Sequence, residues 1–93
     1  MISCKEAEVI AHQYLIDLQK EIGDPLQLTE VREESFGWVY FYQAKEFLET
    51  GALSSMLAGN APFVVNRSKG TVQVLGTAHP VDVYLKEYAL LHS

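Results

Sequence analysis

Gly37-Trp38-Val39-Tyr40-Phe41-Tyr42 is the stretch on which the fold turns. Its aromatic and β-branched residues suit a pleated surface. Side chains alternate across a strand, so Trp38, Tyr40 and Tyr42 share one face and Val39 and Phe41 the other. Both faces are apolar, which predicts a central strand covered on each side. Gly37 permits a turn before it. Upstream, Leu26 to Phe36 reads as a preceding strand, with Leu26 and Leu28 alternating with Gln27 and Thr29. Arg32-Glu33-Glu34-Ser35 is its solvated end.

Working outward, residues 3–22 read as a helix. Ser3 and Glu6 have capping-box spacing. Ala7, Ala11, Tyr14 (or Leu15), Leu18 and Ile22 recur at helical spacing and make one apolar face. Gly23 and Asp24-Pro25 end the helix. Beyond the central strand, Lys45 to Gly51 reads as a helical turn or irregular excursion, and Leu53 to Ala58 as a second short helical piece. Phe63-Val64-Val65-Asn66 and Thr71 to Leu75 form a hairpin around the turn Arg67-Ser68-Lys69-Gly70. Pro80 suits the first turn of a last helix, whose apolar face is Val81, Tyr84 (or Leu85), Tyr88 and Leu91. The expected class is α+β. A small antiparallel sheet of about four strands carries the N- and C-terminal helices, in the order α-β-β-(short helical insert)-β-β-α.

The 93 residues suit one domain spanning 1–93, with a modest core. Their apolar content, 48%, separates the chain from disordered sequences. Twelve acidic against seven basic residues leave a net charge of −5. That field repels polyphosphate and anionic lipid, which argues against nucleic acid and membrane as partners and suits a basic protein. The same charge also serves solubility. Cys4 is the single cysteine, so no intramolecular disulfide can form. The N-terminus lacks a signal-peptide pattern, and no run nears the roughly 20 apolar residues of a membrane span. A cytoplasmic protein is expected.

Catalytic signals are weak. His12, His79 and His92 have no metal-ligand spacing, and zinc needs three or four convergent ligands. Cys4 at a helix start could be an activated thiol, but no histidine stands in a partner motif. Glu33-Glu34 and Glu46-Glu49 are candidate carboxylate pairs in segments that read as solvated edges. Solvated charge is the plainer reading, and an acidic rim for a protein partner is the sharper one. The aromatic stripe reads first as core, and in part as interface anchors. Leu57-Ala58-Gly59-Asn60-Ala61-Pro62 lacks the phosphate-loop pattern. The expectation is a protein that is not an enzyme and holds no metal or cofactor.

Three segments carry a family resemblance: Gly37 to Tyr42, Glu46-Phe47-Leu48-Glu49-Thr50-Gly51, and Leu57 to Val65. Gly70-Thr71-Val72, then Leu75-Gly76-Thr77-Ala78-His79-Pro80 and on to Tyr84 continue it. In this order and spacing they resemble the YrhB-type proteins, the immunity protein 35 family. The match covers residues 37–88 and, more loosely, the first helix. The resemblance implies a small α+β fold and a bacterial immunity protein of a polymorphic toxin system, one that binds and neutralises a cognate protein toxin. Trp38, Gly59, Asn60, Pro62, Gly76, Thr77, Pro80 and Tyr84 carry over as structural motif residues.

The resemblance does not assign the residues that touch a toxin. Charge and exposure nominate Glu33, Glu34, Glu46 and Glu49, with Phe47 or Trp38 as apolar anchors. Two alternatives stand beside toxin binding: a chaperone-like holdase, and a homodimer formed through an uncovered strand edge or aromatic face.

Overall fold

The computed structural model describes residues 1–52, 54 and 61–92. Helix α1 (Cys4–Ile22) begins at the expected capping box. The Glu6 N–H donates to Ser3 Oγ at 3.1 Å, and the Ser3 N–H donates to Glu6 Oε1 at 3.4 Å. Two backbone donors at the helix start are thereby satisfied. The helix closes on a left-handed Gly23, whose N–H donates to Gln19 O at 2.7 Å.

Strands β1 (Leu26–Glu34), β2 (Gly37–Ala44), β3 (Phe63–Asn66) and β4 (Val72–Val74) form one antiparallel sheet in the order β1-β2-β3-β4. A six-residue helix α2 (Lys45–Thr50) follows β2, and α3 (Val81–His92) is the last element. The α+β architecture is the one expected. Leu53 to Ala58, the anticipated second helical piece, lies outside the described residues apart from Ser54, as do Gly59 and Asn60.

β1 ends at Glu34, two residues short of Phe36, because Ser35 and Phe36 make the turn that brings Glu34 opposite Gly37. Phe36 swings inward and packs on Tyr88 with ring centroids 4.8 Å apart. Gly37 is irreplaceable here: a Cβ would strike the backbone carbonyl of Val65. β1 also carries a bulge at Thr29, where the pairing shifts between Leu28–Tyr42 and Glu30–Phe41. One extra residue reverses the alternation. Before the bulge Leu28 shares a face with Tyr42. After it, Val31 and Glu33 share that face with Tyr40 and Trp38, while Glu30 and Arg32 join Phe41 and Val39 on the other.

β2 is covered on both sides, as its two apolar faces require. Trp38, Tyr40, Tyr42, Phe63 and Val65 pack under Ala7, Ala11 and Leu15 of α1. Val39, Val64, Phe36 and Leu75 pack under Leu85 and Tyr88 of α3. Phe63, Val39, Val64 and Val65 are fully buried, each stabilising the fold by roughly 1.5–3 kcal/mol. Two expected core positions differ. Ile22 and Leu91 are exposed, since each lies in the last turn of its helix with nothing among the described residues over it.

Candidate protein-binding surface

The four nominated carboxylates do not converge. Glu33 and Glu34 stand at the turn end of the β1–β2 hairpin, opposite Trp38 and Gly37. Glu46 and Glu49 stand on α2, beyond Ala44 at the other end of β2. At about 3.3 Å per residue, the strand between them spans roughly 23 Å. These four carboxylates therefore make two separate acidic points and, among the described residues, no continuous rim.

At the turn end, charge is engaged internally. Arg67 Nη2 donates to Glu33 Oε2 at 2.9 Å and to Glu34 O at 3.0 Å. Its guanidinium lies 4.4 Å from the centre of the Trp38 ring. The Arg67 N–H donates to Phe36 O, and the Ile2 N–H donates to Arg67 O, both at 2.8 Å. Arg67 thus ties the turn, β3 and the N-terminus together, a role its sequence context did not reveal. Glu33 is two-thirds exposed, so this ion pair is worth little in stability. Trp38 is 3% exposed and belongs to the α1-side core, so it cannot serve as a surface anchor. An aromatic on a central strand is covered by the helix that the strand requires.

At the α2 end the acids are open. Glu46 and Glu49 are exposed and make no ion pair among the described residues. Leu48 beside them is 42% exposed, whereas Phe47 is half-buried. The turn is held from within: Thr50 Oγ1 donates to Glu46 O at 2.8 Å, and the Gly51 N–H donates to Phe47 O at 2.7 Å.

A third region escaped the sequence. Glu8 and His12 of α1 and residues 28–31 of β1 line a groove of about 310 Å³ together with Tyr40. Val31 is 54% exposed there. Burial pushes the Tyr40 hydroxyl up to about 12, with Cys4 and Glu8 adding to the effect. On the opposite face Arg32 Nε meets Glu30 Oε2 at 2.6 Å, lies over the Phe41 ring at 4.9 Å and reaches Asp82 of α3 at 3.8 Å. A signal did exist. Leu28 and Val31 are three residues apart, a spacing that unbroken alternation cannot place on one face.

The structural motif residues sit where the sheet gives way to α3. The Tyr84 ring rests on Gly76 so closely that a Cβ there would meet ring atoms at 2.5 to 2.7 Å. The Tyr84 hydroxyl accepts from the Ala78 and His79 N–H groups at 3.1 and 3.2 Å, fixing the bend that holds Thr77. Pro80 stands one residue before α3, and its carbonyl accepts from the Val83 N–H. Pro62 O accepts from the Leu75 N–H at 2.8 Å and extends the β3–β4 pairing. Cys4 is exposed on the first turn of α1. Among the described residues no cluster of His, Cys, Asp or Glu could hold a metal ion, and no helix is long and apolar enough to cross a membrane.

Fold and surface together define a helix–sheet–helix protein whose chemistry-bearing groups are scattered over its exterior. The immunity protein 35 family model matches residues 5–89, and the chain belongs to that family. It is 39% identical over 90 residues to "Uncharacterized protein YrhB" of Escherichia coli (strain K12), covering 97% of this chain and 92% of that one. No solved structure matches it significantly. Family membership points to a non-enzymatic role.

Proposed function

We propose that this protein is a cytoplasmic bacterial immunity protein that binds a cognate toxin and neutralises it by occluding its active site. The observation that carries this reading is the family match over nearly the whole chain. The surface chemistry agrees with it. With a net charge of −5, the protein attracts a basic partner and speeds the encounter. Stable interfaces bury about 1,200–2,000 Å² in total, which one side of a chain this size supplies.

The α2 turn is the better of the two acidic points for first contact. Glu46 and Glu49 are open, with the exposed Leu48 and the half-buried Phe47 beside them. Glu33 and Glu34 contribute from the hairpin turn, where Arg67 already offsets part of their charge. Purification with the toxic domain encoded beside this gene tests the proposal. Complex formation at micromolar concentration and rescue of growth are expected. Absence of both sinks it.

A holdase-like role is the second reading, favoured by one observation. Leu90 and Leu91 on α3 are 82% and 77% exposed, and Val74 on β4 is half exposed. That reading requires suppression of aggregation for unrelated clients, and strict selectivity for one toxin would count against it.

A further inference from the structure

We infer that two copies of this chain associate through the outer edge of β1, with a two-fold axis at Val31 that joins their sheets into one of eight strands. The inference is independent of the toxin reading and rests on three features of β1.

The first is the direction of its backbone groups. The Arg67 N–H donates to Phe36 O, so Phe36 faces β3. Alternation then turns Gly37, Val39 and Phe41 toward β1, and their partners Glu34, Arg32 and Glu30 toward β2. The N–H and C=O groups of Val31 and Glu33 are left facing outward. No strand pairs with this edge among the described residues. Toward its start the edge is closed, because the Leu26 N–H donates to Gln19 Oε1 at 2.7 Å and Thr29 is bulged. The open template is therefore the stretch from Glu30 to Glu34.

The second feature is charge complementarity to itself. Antiparallel pairing of two identical edges places the two-fold on a residue and keeps each face on its own side. With the axis at Val31, Glu30 of each copy lies opposite Arg32 of the other, twice. Both residues sit on the α3 face, where each already pairs within its own strand at 2.6 Å. The dimer converts two separate ion pairs into one ring of four alternating charges. Other axes on this stretch fail. At Glu30, Arg32, Glu33 or Glu34 the axis residue would face its own like-charged copy.

The third is the fit of the centre. Val31 is apolar and 54% exposed on the α1 side. The pairing sets the two Val31 side chains together at the groove floor and exchanges their outward N–H and C=O groups. The groove of about 310 Å³ between α1 and β1 leaves space above them. The length of pairing is short, so a weak, concentration-dependent dimer is expected.

Sedimentation equilibrium of the full chain from about 1 µM to 1 mM tests this. The wild type should shift from monomer to dimer within that range. Glu30→Arg and Arg32→Glu should each weaken association by at least about tenfold, since two cross-strand pairs turn from attractive to repulsive. Both residues are solvent-facing, so the far-ultraviolet dichroism of each variant should be unchanged. The double exchange Glu30→Arg with Arg32→Glu should restore the dimer, and an equimolar mixture of the two single variants should form a heterodimer. A wild type that stays monomeric to about 1 mM overturns the inference. So does an association indifferent to the single reversals, which would place the contact elsewhere, or a mixture that fails to re-associate. Loss of toxin binding in the single variants without any self-association would assign the edge to the toxin instead.

Discussion

On the α1 face the sheet presents Trp38, Tyr40, Tyr42 and Phe63, and the helix answers with Ala7 and Ala11, both fully buried. On the α3 face the sheet presents Val39 and Val64, and the helix supplies Leu85 and Tyr88. The two fully buried residues of α1 are small, with Leu15, Tyr14 and Leu18 packed around them, whereas the two buried residues of α3 are large. With Ala7 and Ala11 at the contact, α1 approaches the strands more closely than α3 does.

The two faces also differ in how they treat their polar atoms. α3 is tied by specific bonds: Asn66 Nδ2 donates to the Tyr88 hydroxyl at 3.0 Å, and the Asn66 side-chain oxygen accepts from the Ser68 and Lys69 N–H groups. One buried asparagine thus links the β3–β4 turn to the last helix. On the α1 face burial raises the hydroxyl pKa of Tyr14, Tyr40 and Tyr42, with nearby negative charge adding to each.

Reversing this size difference should break the comparison most strongly. Leu85→Ala should cost about 2–5 kcal/mol by leaving a cavity under α3. Ala11→Leu should cost about 1–3 kcal/mol by overfilling the α1 face. Urea unfolding measures both, and an Ala11→Leu variant as stable as the wild type would refute the close approach of α1. Tyr88→Phe should have a smaller effect, about 1–2 kcal/mol, because Asn66 Nδ2 loses a buried acceptor while the ring packing on Phe36 persists.

Alkaline pH should act on the α1 face. Tyr40 keeps its proton to about pH 12 when folded, against 10 when unfolded. Its contribution is full below pH 10 and is lost as pH rises through 12. Its hydroxyl borders an open groove, so water screens the effect, and the expected loss is about 1 kcal/mol. Tyr14 and Tyr42 add in the same direction. Tyr40→Phe should flatten the decline seen in denaturation midpoints above pH 10.

The element order was legible because each signal is local. The capping box at Ser3 and Glu6, Gly23 after α1, the turn at 67–70 and the double-faced pattern of β2 all depend on neighbours within a few residues. The interaction surface was less legible. Nothing local marks Arg67 as the group that engages Glu33, since the two are joined only when β3 pairs with β2. Nor does local spacing show that Glu33 and Glu49 lie at opposite ends of one hairpin. By sequence Trp38 suits core and surface alike, and only its burial under α1 makes it core.

By itself, the sequence determined the α+β class, the four strands, the coverage of β2 on both sides and the family to which the chain belongs. The first three follow from side-chain periodicity and from turn and cap chemistry, which act over short stretches of chain; the family follows from the resemblance of its motifs in order and spacing. Only the tertiary structure decided which charges stand free, where the Thr29 bulge turns Val31 outward, and which backbone groups of β1 remain unpaired. Those depend on register between strands distant in sequence, where a one-residue shift exchanges the inner and outer faces.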